Sequence, residues 1–343
     1  YIVLRCFNKR FYNNFDFSFS FNETGRPISN VLNYGDIKNE IYFSDNKTTF
    51  GTNSIEYVKD EFDRVVNEEL NINGQTFLVE KTYGSDDVFD LNPTQLKYSN
   101  LEYDYEYDPH GNLINVKTGD EYLYEYYYDN LNQLVREDNV KGQITVNYTY
   151  DSNGNILNKT VYAYKDFDNI LEEFNYQYDG NASILTKLNG QLLSYDEVGN
   201  PATYKDYEMT WNQGRRLQAI KNDELSACYK YNNEGYRTSK TINGITTDYT
   251  LYKDKVIYQQ TENDILYFIY NIDDELIGFT YNDSSYYYLR NPQKDIIGII
   301  DCEGNIIVEY VYDAYGKILD ITGSQADTIG LLNPYRYKGY RYD

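Results

Sequence analysis

Tyr105-Glu106-Tyr107-Asp108-Pro109-His110-Gly111-Asn112 sets the architecture of this chain, because the chain writes the same phrase again. It returns as Tyr148-Thr149-Tyr150-Asp151-Ser152-Asn153-Gly154-Asn155 and as Tyr310-Val311-Tyr312-Asp313-Ala314-Tyr315-Gly316-Lys317. Tyrosines two apart project from one face of a strand. Aspartate at the first place of a type I turn caps the turn backbone, and glycine at the fourth tolerates the exit angle. Asn112-Leu113-Ile114 and Asn155-Ile156-Leu157 then restart a strand, so the phrase predicts strand, turn, strand. A motif that recurs along one chain is a unit of architecture before it is an active site.

The phrase continues through variants. Phe19-x-Phe21-Asn22-x-x-Gly25-Arg26 and Tyr57-x-Lys59-Asp60-x-x-Asp63-Arg64 are worn copies in the first hundred residues. Later come Tyr126-x-Tyr128-Asp129, Tyr176-x-Tyr178-Asp179, Tyr195-Asp196-x-x-Gly199, Trp211-Asn212-x-Gly214, Tyr229-x-Tyr231-Asn232-x-x-Gly235 and Phe268-x-Tyr270-Asn271. The Asp/Asn marks fall roughly 16 to 22 residues apart, or near twice that where a copy has faded, as in repeat architectures. A second turn signal alternates with the first: Asn73-Gly74, Asn189-Gly190 and Asn243-Gly244, each between β-prone residues. Asn-Gly is the strongest short hairpin signal because both central residues of a type I′ turn need positive φ. The expectation is an all-β fold in which tandem hairpins form one long, curved antiparallel sheet. The stretch 61–70 has helical residue types, but its phase with the Asp60 copy favours strands.

Composition agrees. Much of the apolar content is aromatic, with 43 tyrosines and 15 phenylalanines against one tryptophan and one methionine. A tyrosine ring with a polar tip suits surfaces buried on one side and wet on the other, and Tyr, Thr, Ile, Val and Phe favour strands. The net charge of -23, from 54 acidic and 31 basic residues, argues against nucleic acid or anionic membrane surfaces as partners. No stretch approaches the roughly 18 apolar residues of a membrane helix. Cys6, Cys228 and Cys302 give neither a metal-binding spacing nor a disulfide framework. Beginning at Tyr1 and ending at Asp343 inside an aromatic run, the chain reads as a piece of a longer polypeptide.

Candidate chemistry is sparse. His110, the single histidine, sits at the third place of a turn and has neither a nucleophile nor an orienting partner in the sequence pattern. Asp108, Asp129, Asp151, Asp179, Asp196 and Asp313 recur at turn starts, which points to capping; catalytic carboxylates are singular. Calcium is an alternative for the Asp-x-x-Gly-Asn loops, but each offers about two or three side-chain oxygens where the ion takes roughly six to eight. Asp320-Ile321-Thr322-Gly323-Ser324 breaks the spacing of the aspartic-protease motif by one residue. There is no Cys/His cluster for zinc and no phosphate-binding glycine loop. No catalytic, cofactor or metal site is therefore expected.

The repeated phrase resembles the YD repeats of the Rhs family, the scaffold shared by bacterial Rhs and wall-associated polymorphic toxins, the C component of insecticidal toxin complexes, and teneurins. Tyr310 to Lys317, followed by Asn333-Pro334-Tyr335-Arg336-Tyr337-Lys338-Gly339-Tyr340, resembles the opening of the Rhs-associated core domain, and Asp301-Cys302-Glu303-Gly304-Asn305 fits the D-x-x-G turn of that core. The resemblance covers residues 101–343 well and the first hundred loosely. It implies a sheet that spirals into a hollow shell around a toxic C-terminal domain, sometimes released by self-cleavage. The stretches that carry that cleavage would lie beyond Asp343, so the chain is expected to form a partial shell without cleavage chemistry or toxin. The tyrosine ladders are also similar to aromatic carbohydrate-binding repeats, which keeps a glycan-binding surface adhesin as the alternative.

The expected organisation is divergent repeats over 1–100, YD repeats over 101–289, and the start of the core domain over 290–343. The architecture should rest on Tyr105, Tyr107, Asp108, Gly111, Tyr126, Tyr128, Asp129, Tyr148, Tyr150, Asp151, Gly154, Tyr229, Tyr231, Gly235, Tyr310, Tyr312, Asp313 and Gly316. The resemblance implies a non-enzymatic wall segment of a secreted or cell-surface bacterial protein. Its partners would be a toxin domain in cis and other shell segments, with glycan possible and no nucleic acid or membrane span.

Overall fold

The computed structural model describes residues 9–11, 15–22, 24, 26–34, 37–84, 91–180 and 184–342. Cys6 and Gly25 lie outside them. Among the described residues the chain is almost entirely antiparallel strand, with helical turns only at Ala326–Gly330 and Tyr337–Gly339. Each strand among the described residues pairs with its neighbours in sequence except across Leu193, so the chain is a meander, as in Leu101–Tyr107 with Leu113–Thr118 and Leu113–Thr118 with Glu121–Tyr128. The stretch with helical residue types is the strand Val65–Ile72, entered through a turn at Asp60.

The meander forms two sheets where the sequence reading expects one. Eighteen strands run from Lys9–Phe11 to Gln191–Leu192, and fourteen from Ser194–Tyr195 to Ile318–Thr322. The break falls at Leu193, inside the stretch read as uniform repeats: Gln191 and Leu192 pair backward with Leu185–Leu188, while Ser194 and Tyr195 pair forward with Pro201–Tyr204. One short extended segment thus serves two ladders and lets the strip turn.

The turn brings the late strands back over the early ones. Ile55, Leu70, Leu96, Tyr98 and Val116 of the first sheet share a core with Ile269, Ile277, Tyr287, Leu289 and Ile300 of the second. On the far face of those late strands, Leu266, Phe279, Ile299 and Val308 pack with Ile329 and Tyr335 from the C-terminal segment. Strands such as Asp264–Tyr270 and Ile296–Ile300 are therefore buried on both faces, which matches their unbroken apolar runs. Asp166–Tyr178 and Tyr207–Asn212, by contrast, expose most or alternate side chains, as strands without a second covering layer do.

Candidate functional site

The copies at Asp108, Asp151, Asp196 and Asp313 build the same turn. The Asp108 carbonyl accepts from Gly111 N–H at 2.9 Å, and Asp108 N–H donates to the Asn112 carbonyl at 2.9 Å. Asp108 Oδ1 accepts the N–H groups of His110 and Asn112, both at 2.9 Å, and Oδ2 accepts Asn112 Nδ2 at 2.8 Å. Asp151 and Asp196 repeat this set, and Asp129 keeps the two backbone bonds to its Oδ1. The asparagine side chain at the fifth place, with the backbone N–H groups, holds the carboxyls of Asp108, Asp151 and Asp196 below the usual carboxylate range. His110 is exposed, its ring 3.9 Å from Asp108 Oδ2.

The fourth place is left-handed whether or not it is glycine: φ is 83° at Gly111 and Gly154, and 59° at Asn132. This explains why worn copies still turn. A Cβ at Gly111 would meet no atom within 4 Å, so the cost of a side chain there is torsional alone. Gly111→Val is expected to cost about 1–2 kcal/mol or more, and Gly111→Asn a small fraction of that. Equal urea midpoints for the Val variant and the parent would refute the turn's role.

The second tyrosine of each phrase does what ring packing alone cannot. Tyr128 OH donates to the Leu113 carbonyl at 3.0 Å, Tyr150 OH to Leu134 at 2.6 Å, Tyr231 OH to Leu217 at 2.8 Å and Tyr312 OH to Ile296 at 2.7 Å. The acceptor is the first or second residue of the strand that restarts after the preceding turn. Tyr107 OH reaches the Pro93 carbonyl at 3.2 Å, and Trp211 substitutes its Nε1–H toward Pro201 at 2.7 Å. Every such hydroxyl pins one repeat to the exit of the one before. Tyr231→Phe is expected to lose about 1 kcal/mol, whereas Tyr236→Phe, at an exposed ring, should leave the denaturation midpoint unchanged.

The first tyrosine of the phrase is the buried one: Tyr105, Tyr148 and Tyr310 lie in the cores. Tyr126 packs against the first of them, and Tyr229 is half-buried in the uncovered part of the second sheet with Arg237 stacked on its ring at 4.2 Å. Gly235 exits its turn at φ 96° and Gly316 at 88°, the latter beneath the Tyr337 ring. The motif residues are therefore strung along both sheets and do not converge on one centre.

The Asp313 copy docks onto the first sheet, as the Asp301 turn does where Tyr98 OH donates to the Gly304 carbonyl at 2.8 Å. The Asp313 carboxylate takes Lys159 Nζ at 2.6 Å, with both side chains largely buried. Ala314 N–H donates to Glu137 Oε2 at 2.8 Å, and Asn139 Nδ2 donates to Glu137 Oε1 at 3.0 Å and to the Tyr312 carbonyl at 2.9 Å. Tyr315 closes the contact with its hydroxyl 3.0 Å from that of Tyr150, and Lys317 pairs Glu172 at 2.8 Å. Glu137, Asp138 and Asn139 are 0% exposed. Burial, reinforced by the neighbouring Asp313 carboxylate, pushes the Glu137 carboxyl up to about 7, against the opposing hydrogen bonds from Ala314 and Asn139. Asp138 is neutralised by Arg136 at 2.6 Å and Lys165 at 3.7 Å.

These polar residues escaped the sequence reading, because Arg136-Glu137-Asp138-Asn139 looks like a solvated edge. The unbroken apolar strands opposite were the available signal that a second layer covers them. The arrangement clamps one sheet on another. Among the described residues, no three His, Cys, Asp or Glu side chains gather as metal ligands, and no helix is long and apolar enough to cross a membrane.

No family model matches the chain. By sequence it is similar to the tRNA3(Ser)-specific nuclease WapA of Bacillus spizizenii, 33% identical over 223 residues, and to the tRNA nuclease WapA of Bacillus subtilis strain 168, 32% identical over 230 residues. Each match takes in 63% of this chain but 9% of the relative, so the chain corresponds to a small part of those proteins. By structure it is similar to a chain of the Photorhabdus luminescens Tc holotoxin pore, with a TM-score of 0.74 and 17% identity over 96% of this chain and 19% of that one. It is also similar to a TcdB2-TccC3 structure that lacks its hypervariable C-terminal region, with a TM-score of 0.68 and 16% identity over 96% of this chain and 21% of that one. The chain thus shares its fold with parts of the Tc toxin proteins and sequence with part of the WapA nucleases.

Proposed function

We propose that the chain is a non-enzymatic wall segment of a shell in a secreted or cell-surface bacterial toxin, encapsulating and presenting a C-terminal toxin domain of the same polypeptide. The observation that carries this reading is the match of 96% of the chain, with a TM-score of 0.74, to about a fifth of a Tc toxin chain. The relatives of matching sequence are named as nucleases, yet the recurring aspartates here are spent on turn caps and the one histidine points outward. The inward packing of Tyr105, Tyr148 and Tyr310 weighs against an adhesin that would use these rings on glycans.

The test is limited proteolysis of the full polypeptide that carries this segment. The C-terminal domain should resist trypsin while the repeats are folded and become sensitive once they are unfolded in urea. Digestion of that domain at the rate of the isolated domain, with the repeats intact, would sink the encapsulation reading.

A further inference from the structure

Lys159 and Asp313 meet across 154 positions of sequence, and the turn motif does not require them to. In the turns at Asp108, Asp151 and Asp196 the second carboxylate oxygen is taken by an asparagine side chain at the fifth place. The turn at Asp313 has Lys317 at that place, and Lys317 pairs instead with the exposed Glu172. Asp313 Oδ2 is thereby left for Lys159 Nζ, at 2.6 Å. The two side chains are 14% and 1% exposed, a deeper burial than that of Lys81 with Glu68 or Lys141 with Glu309. Nζ lies 5.9 Å from the Tyr148 ring, which belongs to an apolar cluster with Val146 and Val161.

Two charges in such surroundings have lost much of their hydration, and an amide in their place would carry no charge. Three features of the site favour that exchange. An amine 2.6 Å from one carboxylate oxygen stands roughly 3–4 Å from the carbon between the two oxygens, close to the ~3–3.5 Å of a reactive approach. Asp313 Oδ1 accepts the N–H groups of Tyr315 at 3.0 Å and Lys317 at 2.9 Å. These two fixed donors stabilise the negative charge that builds on Oδ1 as the carbon becomes tetrahedral. Glu137, 0% exposed, accepts the N–H of Ala314, the next residue along the chain. Burial brings its carboxyl up to about 7, where it can both take and give a proton near neutrality.

We infer that Lys159 and Asp313 condense spontaneously into an amide that joins the two sheets covalently, with Glu137 as the proton shuttle and independently of any shell role. Within the ion pair one proton passes from Nζ to Oδ2, leaving a neutral amine and a carboxylic acid. The amine lone pair attacks Cγ, the Nζ–Cγ bond forms and Oδ1 takes the charge. Nζ then loses a second proton to Glu137, which returns it to the Oδ2 hydroxyl, and the Cγ–Oδ2 bond breaks with release of water. The ammonium and carboxylate together become one amide and one water, with no change of oxidation state and no other reactant. The test is intact mass spectrometry of the purified chain in denaturant, after incubation at neutral pH. The mass should fall short of the sequence mass by one water. Trypsin should yield peptide 142–165, uncut after Lys159, joined to peptide 295–317. Lys159→Arg keeps the ion pair but has no nucleophilic amine, and should give the full mass and separate peptides. Glu137→Gln should slow the loss of water about a hundredfold. The inference is overturned by a parent at its full sequence mass, by a water loss that maps to any other pair of residues, or by a Glu137→Gln variant that condenses at the parent's rate.

Discussion

Asn333→Leu is expected to be the most damaging single substitution in the C-terminal segment, costing about 3–5 kcal/mol. Asn333 is 0% exposed and uses its whole side chain. Its Oδ1 accepts Tyr288 OH at 2.7 Å and Tyr335 N–H at 3.2 Å, and its Nδ2 donates to Tyr310 OH at 3.1 Å and the Tyr335 carbonyl at 2.5 Å. Leucine fills nearly the same volume, so the loss comes from orphaned polar groups and not from a cavity. The effect should be concentrated where the C-terminal segment lies on the sheet. Amide exchange should therefore accelerate first in residues 326–342, before the first sheet is touched. Wild-type protection of that segment would show that the hub is dispensable.

The second large effect is a fall in stability with rising pH, centred on Glu137. Its carboxyl is raised to about 7 in the folded state from 4.5. Between those values the folded chain holds a proton that the unfolded chain has released, so the slope of stability against pH is negative. Below about 4.5 the penalty is absent; above about 7 it is complete, on the order of 3 kcal/mol. The groups around it fit this direction: Asp313 repels the ionised form, while Lys159 is already engaged with Asp313. The capping carboxyls of Asp108, Asp151 and Asp196 act in the opposite sense, since their stabilisation is lost as pH falls through their lowered values. The chain should be most stable between the two windows, near pH 4. Urea titrations of Glu137→Gln from pH 5 to pH 8 should lose the downward slope; an unchanged slope would assign it elsewhere.

How much of this was legible follows from the range of each interaction. The turn at Asp151 is written in five consecutive residues, and its carboxylate bonds go to positions two and four ahead. The pairing of each strand with its sequence neighbour follows from such turns, so the all-β meander could be read without coordinates. The tyrosine hydroxyl bonds lie at the limit of legibility. Y-x-Y announces a shared face, but only the register carries Tyr231 OH to Leu217, 14 positions back. The break at Leu193 left no mark, because the segment around it has ordinary strand residues.

By itself, then, the sequence determined the hairpin, its turns and their succession, because hydrogen bonds within a hairpin are local and repeat with the motif. Tertiary structure alone decided which hairpins are covered. Ala314 meets Glu137 across 177 positions, and that contact turns a run of polar residues into a fully buried clamp. It also makes the Asp-x-x-Gly turn at Asp313 one of the points where the two sheets hold together. No local pattern encodes such a contact, because burial is a property of what comes to lie opposite.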